Sequence, residues 1–323
     1  MISDFFIIES IFRSHILKIK SIKLEGFRRF KNLTIEGLPE TARLVVMVGP
    51  NGSGKSSVFD ALLRWRNRKS SRPSIVVTSY FIRCDISESD FKEPEVEFHK
   101  SPITSSDWRR SIHLRSAYRN DSIDRLNREL NQTPPIAEEH RFYMLSENDR
   151  AVALNYRRIL DKWIEIGTSP KRRGENIGEI QDEILGELRN SMAELFKDTQ
   201  FILAGLGSPN THKVFEFDKG TNHGLSYENL SSGEKAALDM LLDIVVFKEE
   251  FNDTVFCIDE PEAHIHTKLQ GPLLGELYKL IPDNSQLWIA THSIGMVRKA
   301  QDLWQKSKDA VVFLDFGKDA VSY

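Results

Sequence analysis

Leu44-Val45-Val46-Met47-Val48 is an unbroken apolar run that ends in Gly49-Pro50-Asn51-Gly52-Ser53-Gly54-Lys55-Ser56-Ser57. No other stretch of the chain constrains the fold so tightly. A continuous β-branched and apolar run suits a strand buried on both faces of a parallel sheet. Glycines at this density let the chain turn with its N–H groups directed inward around an anion. Phe59, Leu62 and Leu63 then share one side of a predicted helix, whose N-terminus adds unsatisfied donors and a positive dipole end. Strand, G-x-x-x-x-G-K-[ST] and helix in that order distinguish a phosphate-binding loop from a chance glycine turn. Asn51, Gly52, Ser53, Gly54 and Ser57 belong to the cradle. Lys55 can reach β- and γ-phosphates, and the Ser56 hydroxyl can ligate Mg²⁺.

Three later segments belong with that loop. Val255-Phe256-Cys257-Ile258 is an apolar strand ending in Asp259-Glu260, which places two carboxylates at the sheet edge where α/β proteins bind ligands. Neighbouring strand residues face opposite ways, so the two differ in job. Asp259 would hold Mg²⁺, and Glu260 would orient and deprotonate an attacking water. Leu230-Ser231-Ser232-Gly233-Glu234 opens an apolar-periodic helix, and Ser231 with Glu234 fits a capping box. The same start, through Ser232, the Gly233 N–H and Glu234, is a candidate second anion site. His292 ends a third apolar strand, Trp288-Ile289-Ala290-Thr291.

In this order the motifs resemble the ABC ATPase superfamily, with Leu-Ser-Ser-Gly-Glu as its signature and His292 as its switch histidine. The opening Ile19-Lys20-Ser21-Ile22-Lys23-Leu24-Glu25-Gly26-Phe27-Arg28-Arg29-Phe30 is similar to that of the RecF, SMC and OLD (overcoming-lysogenisation-defect) branch. Glu260-Pro261-Glu262-Ala263-His264-Ile265-His266 is most similar to OLD-like members, where the segment crosses a dimer interface. The resemblance implies an α/β fold: an ABC ATPase head, that is, a P-loop NTPase core with a mixed β-subdomain, plus an inserted, mainly helical lid. It implies ATP and Mg²⁺ as ligands. It also implies a homodimer or higher homo-oligomer around the ATP sandwich, with Ser232 and Gly233 acting on the partner's nucleotide and Glu260, His292 and Lys55 catalytic. An OLD-like role follows as an expectation: an anti-phage defence ATPase that gates a separate effector, a nuclease or a toxin. The alternatives are a RecF/SMC-like DNA-repair ATPase and a non-hydrolytic, ATP-locked scaffold. Full OLD proteins add a Toprim domain, for which this sequence shows no segment. No coupling glutamine is evident; Gln132, Gln181 and Gln200 lie in unsuitable surroundings.

The rest of the chain is less explicit. Expected units are 1–85, the lobe with the phosphate loop; 86–200, the helical insert; and 201–323, the lobe with the signature, acidic pair and histidine. Ile75–Cys84 reads as a strand. Residues 177–195 carry apolar positions at helical spacing, as do those around Leu154, Ile159, Leu160 and Trp163. After 234, helix and strand alternate to the end, which implies a parallel sheet with crossover helices. With no sustained heptads, a long coiled-coil arm is not expected.

Two cysteines exclude a disulfide scaffold. No apolar stretch is long enough to span a bilayer, and the N-terminus lacks a basic signal-peptide region, so a cytoplasmic, membrane-free protein is expected. The net charge of -3 hides +8 in residues 1–175 and -11 in 176–323. Much of the excess lies at 64–128, where Arg64, Arg66, Arg68, Arg72, Arg109, Arg110, Arg115, Arg119, Arg125 and Arg128 interleave with Trp65, Trp108 and Tyr118. That composition suits nucleic acid or an acidic protein partner. Glu262, His264 and His266 lack zincin spacing and are read as a loop rather than a metal centre.

Overall fold

A computed structural model describes residues 17–70, 80–100, 108, 110–115, 151–172, 174–207, 215–250 and 253–317. Its centre is a five-stranded, all-parallel sheet. The strands are β3 (Leu44–Val48), β5 (Ile112–Arg115), β9 (Val255–Asp259), β10 (Gln286–Thr291) and β11 (Val311–Asp315), in the spatial order β11-β3-β10-β9-β5. Parallel strands need crossovers, and the helices supply them. Helix α1 (Lys55–Lys69) follows β3, α5 (Thr267–Leu280) joins β9 to β10, and α6 (Ile294–Lys306) joins β10 to β11.

The apolar strands alternate between two cores, as a side-chain period of two requires. Leu44, Val46, Phe256, Ile258, Leu287 and Ile289 face one core. It is filled by α2 (Ala151–Thr168), α3 (Ile177–Leu195), α4 (Ser232–Glu250) and α5, and by an antiparallel sheet of β6 (Phe201–Leu206), β7 (Phe215–Lys219) and β8 (Asn222–Leu225). Val45, Met47, Val255, Cys257, Trp288 and Ala290 face the other. There α1 and the antiparallel sheet of β1 (Ile19–Phe27), β2 (Phe30–Ile35) and β4 (Glu95–Phe98) close the layer. Every strand of the central sheet but β11 is almost wholly buried. This explains why β3, β9 and β10 are apolar runs rather than alternations; β5, Ile-His-Leu-Arg, is the exception.

Two readings change. Residues 86–200 do not begin as a helical insert, because β4 pairs with β1 and β5 pairs with β9 at the edge of the central sheet. Both strands have four residues, too few to show periodicity, and β5 contains His113 and Arg115. In the expected Ile75–Cys84 strand, residues 75–79 lie outside the described residues, and 80–84 make only the isolated bridge Ile82–Phe27. That segment hangs on the end of β1 instead, through Arg28 N to Phe81 O at 2.7 Å and a Phe27–Phe81 stack at 5.6 Å.

Two buried aspartates one turn apart bolt α4 to its neighbours. Asp243 accepts from Asn155 of α2 at 2.6 Å and lies 2.5 Å from His113 Nε2 of β5. Asp239 accepts from the hydroxyls of Tyr156 on α2 and, at 2.9 Å, Tyr227. Carboxylates this deep require such partners. Acids at 239 and 243 within the otherwise apolar run 236–247 were the available sequence signal.

Candidate functional site

The carboxyl edge of the parallel sheet gathers the segments singled out above. The phosphate loop leaves β3, Asp259 and Glu260 leave β9, and His292 leaves β10. Adjacent β3, β10 and β9 therefore bring together residues far apart in sequence. A pocket of about 160 Å³ is lined by Asn51, Gly52, Ser53, Gly54, Lys55, Ser56, Ser57, Glu260 and Arg29.

Gly52 and Gly54 have positive φ, 75° and 104°, conformations glycine adopts without a Cβ penalty. Gly54 is also the left-handed N-cap of α1. Lys55 folds back, its ammonium donating to Gly49 O at 2.7 Å and Pro50 O at 2.9 Å. Burial pulls its pKa below the usual lysine value, while Asp259, Glu260 and Glu262 push it up. Ser56 Oγ donates to Asp259 Oδ2 at 2.8 Å, which joins the loop to the acidic strand end. The Ser53 hydroxyl is buried with no hydrogen-bond partner among the described residues. Glu260 takes φ 45° and donates its N–H to Ala290 O at 2.9 Å. A positive φ at a non-glycine residue stores strain, a condition concentrated at functional sites.

The helix start at 231–234 is the capping box its sequence predicts. Ser231 N and Oγ both donate to Glu234 Oε2 at 2.8 Å, and Lys219 donates to Glu234 Oε1 at 2.7 Å. Burial opposes ionisation of Glu234, but the bonds from Lys219 and Ser231 outweigh it and hold the carboxyl below its ordinary pKa. Both carboxylate oxygens are therefore engaged within the chain, and Glu234 shapes the helix start instead of offering a free group to a ligand. Ser232 is exposed and Gly233 half-exposed. A Cβ on Gly233 would lie 3.0 Å from His264 O, so the segment following the acidic pair abuts this helix start.

The Glu262, His264, His266 group does not converge. Glu262 turns inward to Thr291 and His292, and the His266 ring accepts from Lys268 N at the start of α5. Among the described residues no group of three or more His, Cys, Asp or Glu is arranged to hold a metal ion.

The basic stretch is partly internal. Arg64 clamps Glu93 through two bonds of 2.6 and 2.5 Å, and Arg66 is buried on Ile112 O at 2.9 Å. Arg115 is buried, and Arg110 pairs with Asp253. These four are not an exposed patch; helix amphipathicity and strand burial claim them, which composition alone does not reveal. Arg68 and Lys69 are exposed beside a cleft of about 1130 Å³ that Trp65 and Trp108 share with Glu93, Glu95 and Glu97. Arg72, Arg109, Arg119, Arg125 and Arg128 lie outside the described residues, as does Gln132.

Sequence reading missed Arg29, which lines the phosphate-loop pocket from the turn between β1 and β2. A Cβ on Gly54 would meet its Cδ at 2.6 Å. The only signal was its place in Phe27-Arg28-Arg29-Phe30.

A parallel sheet with a phosphate loop, acidic strand end and histidine on one edge defines a P-loop ATPase of the ABC/AAA kind. The chain belongs to the family described as "AAA domain, putative AbiEii toxin, Type IV TA system", whose model matches residues 44–298. No curated protein matches it. Similar solved structures include an SMC head bound to the C-terminal winged-helix domain of ScpA, with 15% identity, TM-score 0.49, and 87% of this chain and 91% of that chain covered. Another is the SMC head domain from Thermotoga maritima, with 16% identity, TM-score 0.44, and 87% and 92% covered. A third is an SMC head with an extended coiled coil bound to the C-terminal domain of ScpA, derived from Pyrococcus furiosus, with 15% identity, TM-score 0.45, and 87% and 91% covered. No helix among the described residues is long and apolar enough to cross a membrane.

Proposed function

We propose that the chain binds ATP with Mg²⁺ at the phosphate loop, closes as a homodimer around the nucleotide, and hydrolyses it. The observation that carries this reading is the shared pocket, which sets Glu260 across from Asn51–Ser57. The orphaned Ser53 hydroxyl and the inward-turning loop suit a phosphate chain. Ser56 and Asp259, already 2.8 Å apart, offer the hard oxygen donors Mg²⁺ prefers. The ion supplies charge neutralisation on the phosphates when bound. Lys55 has a third donor to turn toward a phosphate oxygen. In this reading Glu260 orients water and takes its proton; His292 stands 3.9 Å from the Glu260 carboxylate.

A single chain presents two anion-binding helix starts, at α1 and α4. In a head-to-tail dimer, Ser232 and Gly233 of one subunit face the nucleotide of the other. Hydrolysis then removes the γ-phosphate contacts and opens the pair, a switch a separate effector can read. The family description names a putative toxin of a type IV toxin–antitoxin system. That favours a defence or conflict-system role, OLD-like in kind, over chromosome maintenance or transport.

Three variants test the reading. Lys55→Ala should abolish nucleotide binding, and Glu260→Gln should bind ATP, dimerise and fail to turn over. Ser232→Arg should bind but not hydrolyse; unchanged turnover in that variant sinks the shared-site claim. Partner control that persists in Glu260→Gln favours an ATP-locked scaffold instead.

A further inference from the structure

Glu262 is only 5% exposed, yet it lies in the turn between the acidic pair and α5 rather than in a strand. Its Oε1 accepts from Thr291 Oγ1 at 2.7 Å and from the His292 N–H at 2.8 Å, and lies 3.2 Å from His292 Nδ1. Its Oε2 is buried with no hydrogen-bond partner among the described residues. A carboxylate that accepts two hydrogen bonds on one oxygen and leaves the other unmatched is a costly way to fill space. Both hydrogen bonds to Oε1 come from Thr291 and His292.

The same turn is tied down around that contact. Ala263 N donates to Glu260 O, and Ile265 N donates to Glu262 O, both at 2.9 Å. Beyond the histidine, Ser293 N donates to Thr291 Oγ1 at 3.0 Å. Ser293 Oγ meets Gln270 Oε1 at 2.5 Å and accepts from Met296 N at 3.2 Å. Gln270 Nε2 closes the ring onto Ile265 O at 3.0 Å. Hydrogen bonds thus tie the turn, the start of α5, the end of β10 and the cap of α6 together, with Glu262 at the joint. On its other side the turn presents His264 O to Gly233.

We propose that Glu262 is the positioning residue for His292: it sets the ring's place and tautomer, and it couples both to the turn that touches the Ser232–Gly233 helix start. This rests on the hydrolytic reading given above. A carboxylate only accepts. Glu262 Oε1 at 3.2 Å and Glu260 Oε1 at 3.9 Å set negative charge beside Nδ1, and that charge favours the tautomer with its hydrogen on Nδ1. Nε2 of this 48%-exposed side chain is left to serve a ligand. Because Glu262 also holds the His292 main chain, the histidine cannot shift independently of the turn. A partner subunit that displaces the turn displaces the histidine with it.

Full-length Glu262→Gln, His292→Ala and the double variant separate this from a merely structural role. ATP affinity, measured by titration with a fluorescent ATP analogue, should stay within about twofold of wild type in Glu262→Gln. Its kcat should fall about tenfold to a hundredfold, by analogy with loss of the outer partner that orients a metal-bound histidine. The double variant should turn over no more slowly than His292→Ala alone, because Glu262 acts through that ring. Wild-type kcat in Glu262→Gln, or a double variant whose loss is the product of the two single losses, overturns the proposal. Glu262→Asp retains the charge but draws the oxygen back by a methylene; it should show the same kcat loss at unchanged affinity, and it covers a Gln variant that fails to fold. Nitrogen-15 histidine spectra give a readout independent of turnover. Wild-type His292 should show the Nδ1–H tautomer, and Glu262→Gln should lose that preference. An Nε2–H tautomer in the wild type overturns the proposal even if hydrolysis is confirmed. Absence of turnover in the wild type, with the Nδ1–H tautomer present, counts against the hydrolytic reading alone.

Discussion

Gly52 and Gly54 both hold left-handed backbone within one loop, but they differ in the space around them. A Cβ on Gly52 would meet nothing within 4 Å, whereas a Cβ on Gly54 would lie 2.5 Å from Phe30 Cζ and 2.6 Å from Arg29 Cδ. Phe30 is fully buried and packs against Phe316, so its ring cannot withdraw cheaply. Gly52→Ala should therefore cost only backbone strain, about 1–2 kcal/mol. Gly54→Ala should cost that strain plus an overpacking penalty of about 1–3 kcal/mol. Measured without nucleotide, so that ligand linkage does not enter, urea unfolding should rank Gly54→Ala below Gly52→Ala by about that steric increment. Gly54→Ala should also lose ATP binding, because the cradle must widen to seat the methyl. Equal stability of the two alanine variants, or a Gly54→Ala protein that binds ATP normally, refutes the claim that Phe30 and Arg29 wall this side of the loop.

Three further outcomes are expected. Tyr156→Phe removes a buried donor to Asp239 and should destabilise the protein by about 1.5–3 kcal/mol, the range for a bond to a charged group, in a denaturant titration. Glu234→Gln should lower stability at neutral pH, and its deficit should vanish in acid. The carboxyl's folded pKa lies below its ordinary value, so its contribution is present above about pH 4.3 and is lost as pH falls through the folded pKa. Melting curves from pH 7 to pH 3 check this. Of the two cysteines, Cys84 is exposed and Cys257 is buried with its thiol pKa pushed far up. Ellman's reagent should titrate one thiol in the native protein and two after denaturation.

The parts of this fold that were legible in the sequence are those whose signal is local. Strand β3 and its loop, β9 with its terminal acids, and β10 with His292 each combine an apolar run with a polar end, and all three appear as read. The capping box at 231–234 is likewise a four-residue pattern, and it forms. What escaped depends on distant partners. Strand β5 places His113 and Arg115 in the interior, and such residues read as surface until Asp243 of α4 comes to meet the histidine. Strand β4, Glu-Val-Glu-Phe, looks like a solvated turn until β1 pairs with it. Arg64 and Arg66 looked like half of a basic patch because Glu93 and the Ile112 carbonyl that occupy them are remote in sequence. The inward turn of Glu262 onto Thr291 had no local signal at all.

The position of β3 has a consequence for how the chain is made. Its two hydrogen-bonded neighbours are β10 and β11, and Phe316 seals the loop's first glycine, with Phe316 N donating to Val48 O at 2.7 Å. A ribosome therefore releases the phosphate loop long before it makes either strand that flanks it. At about 5–20 residues per second the wait lasts on the order of tens of seconds. During that interval an apolar strand has both edges bare. Nascent chains stalled before β10 should be chaperone clients that cannot hold nucleotide, and ATP should begin to protect the chain from protease only once β11 has emerged.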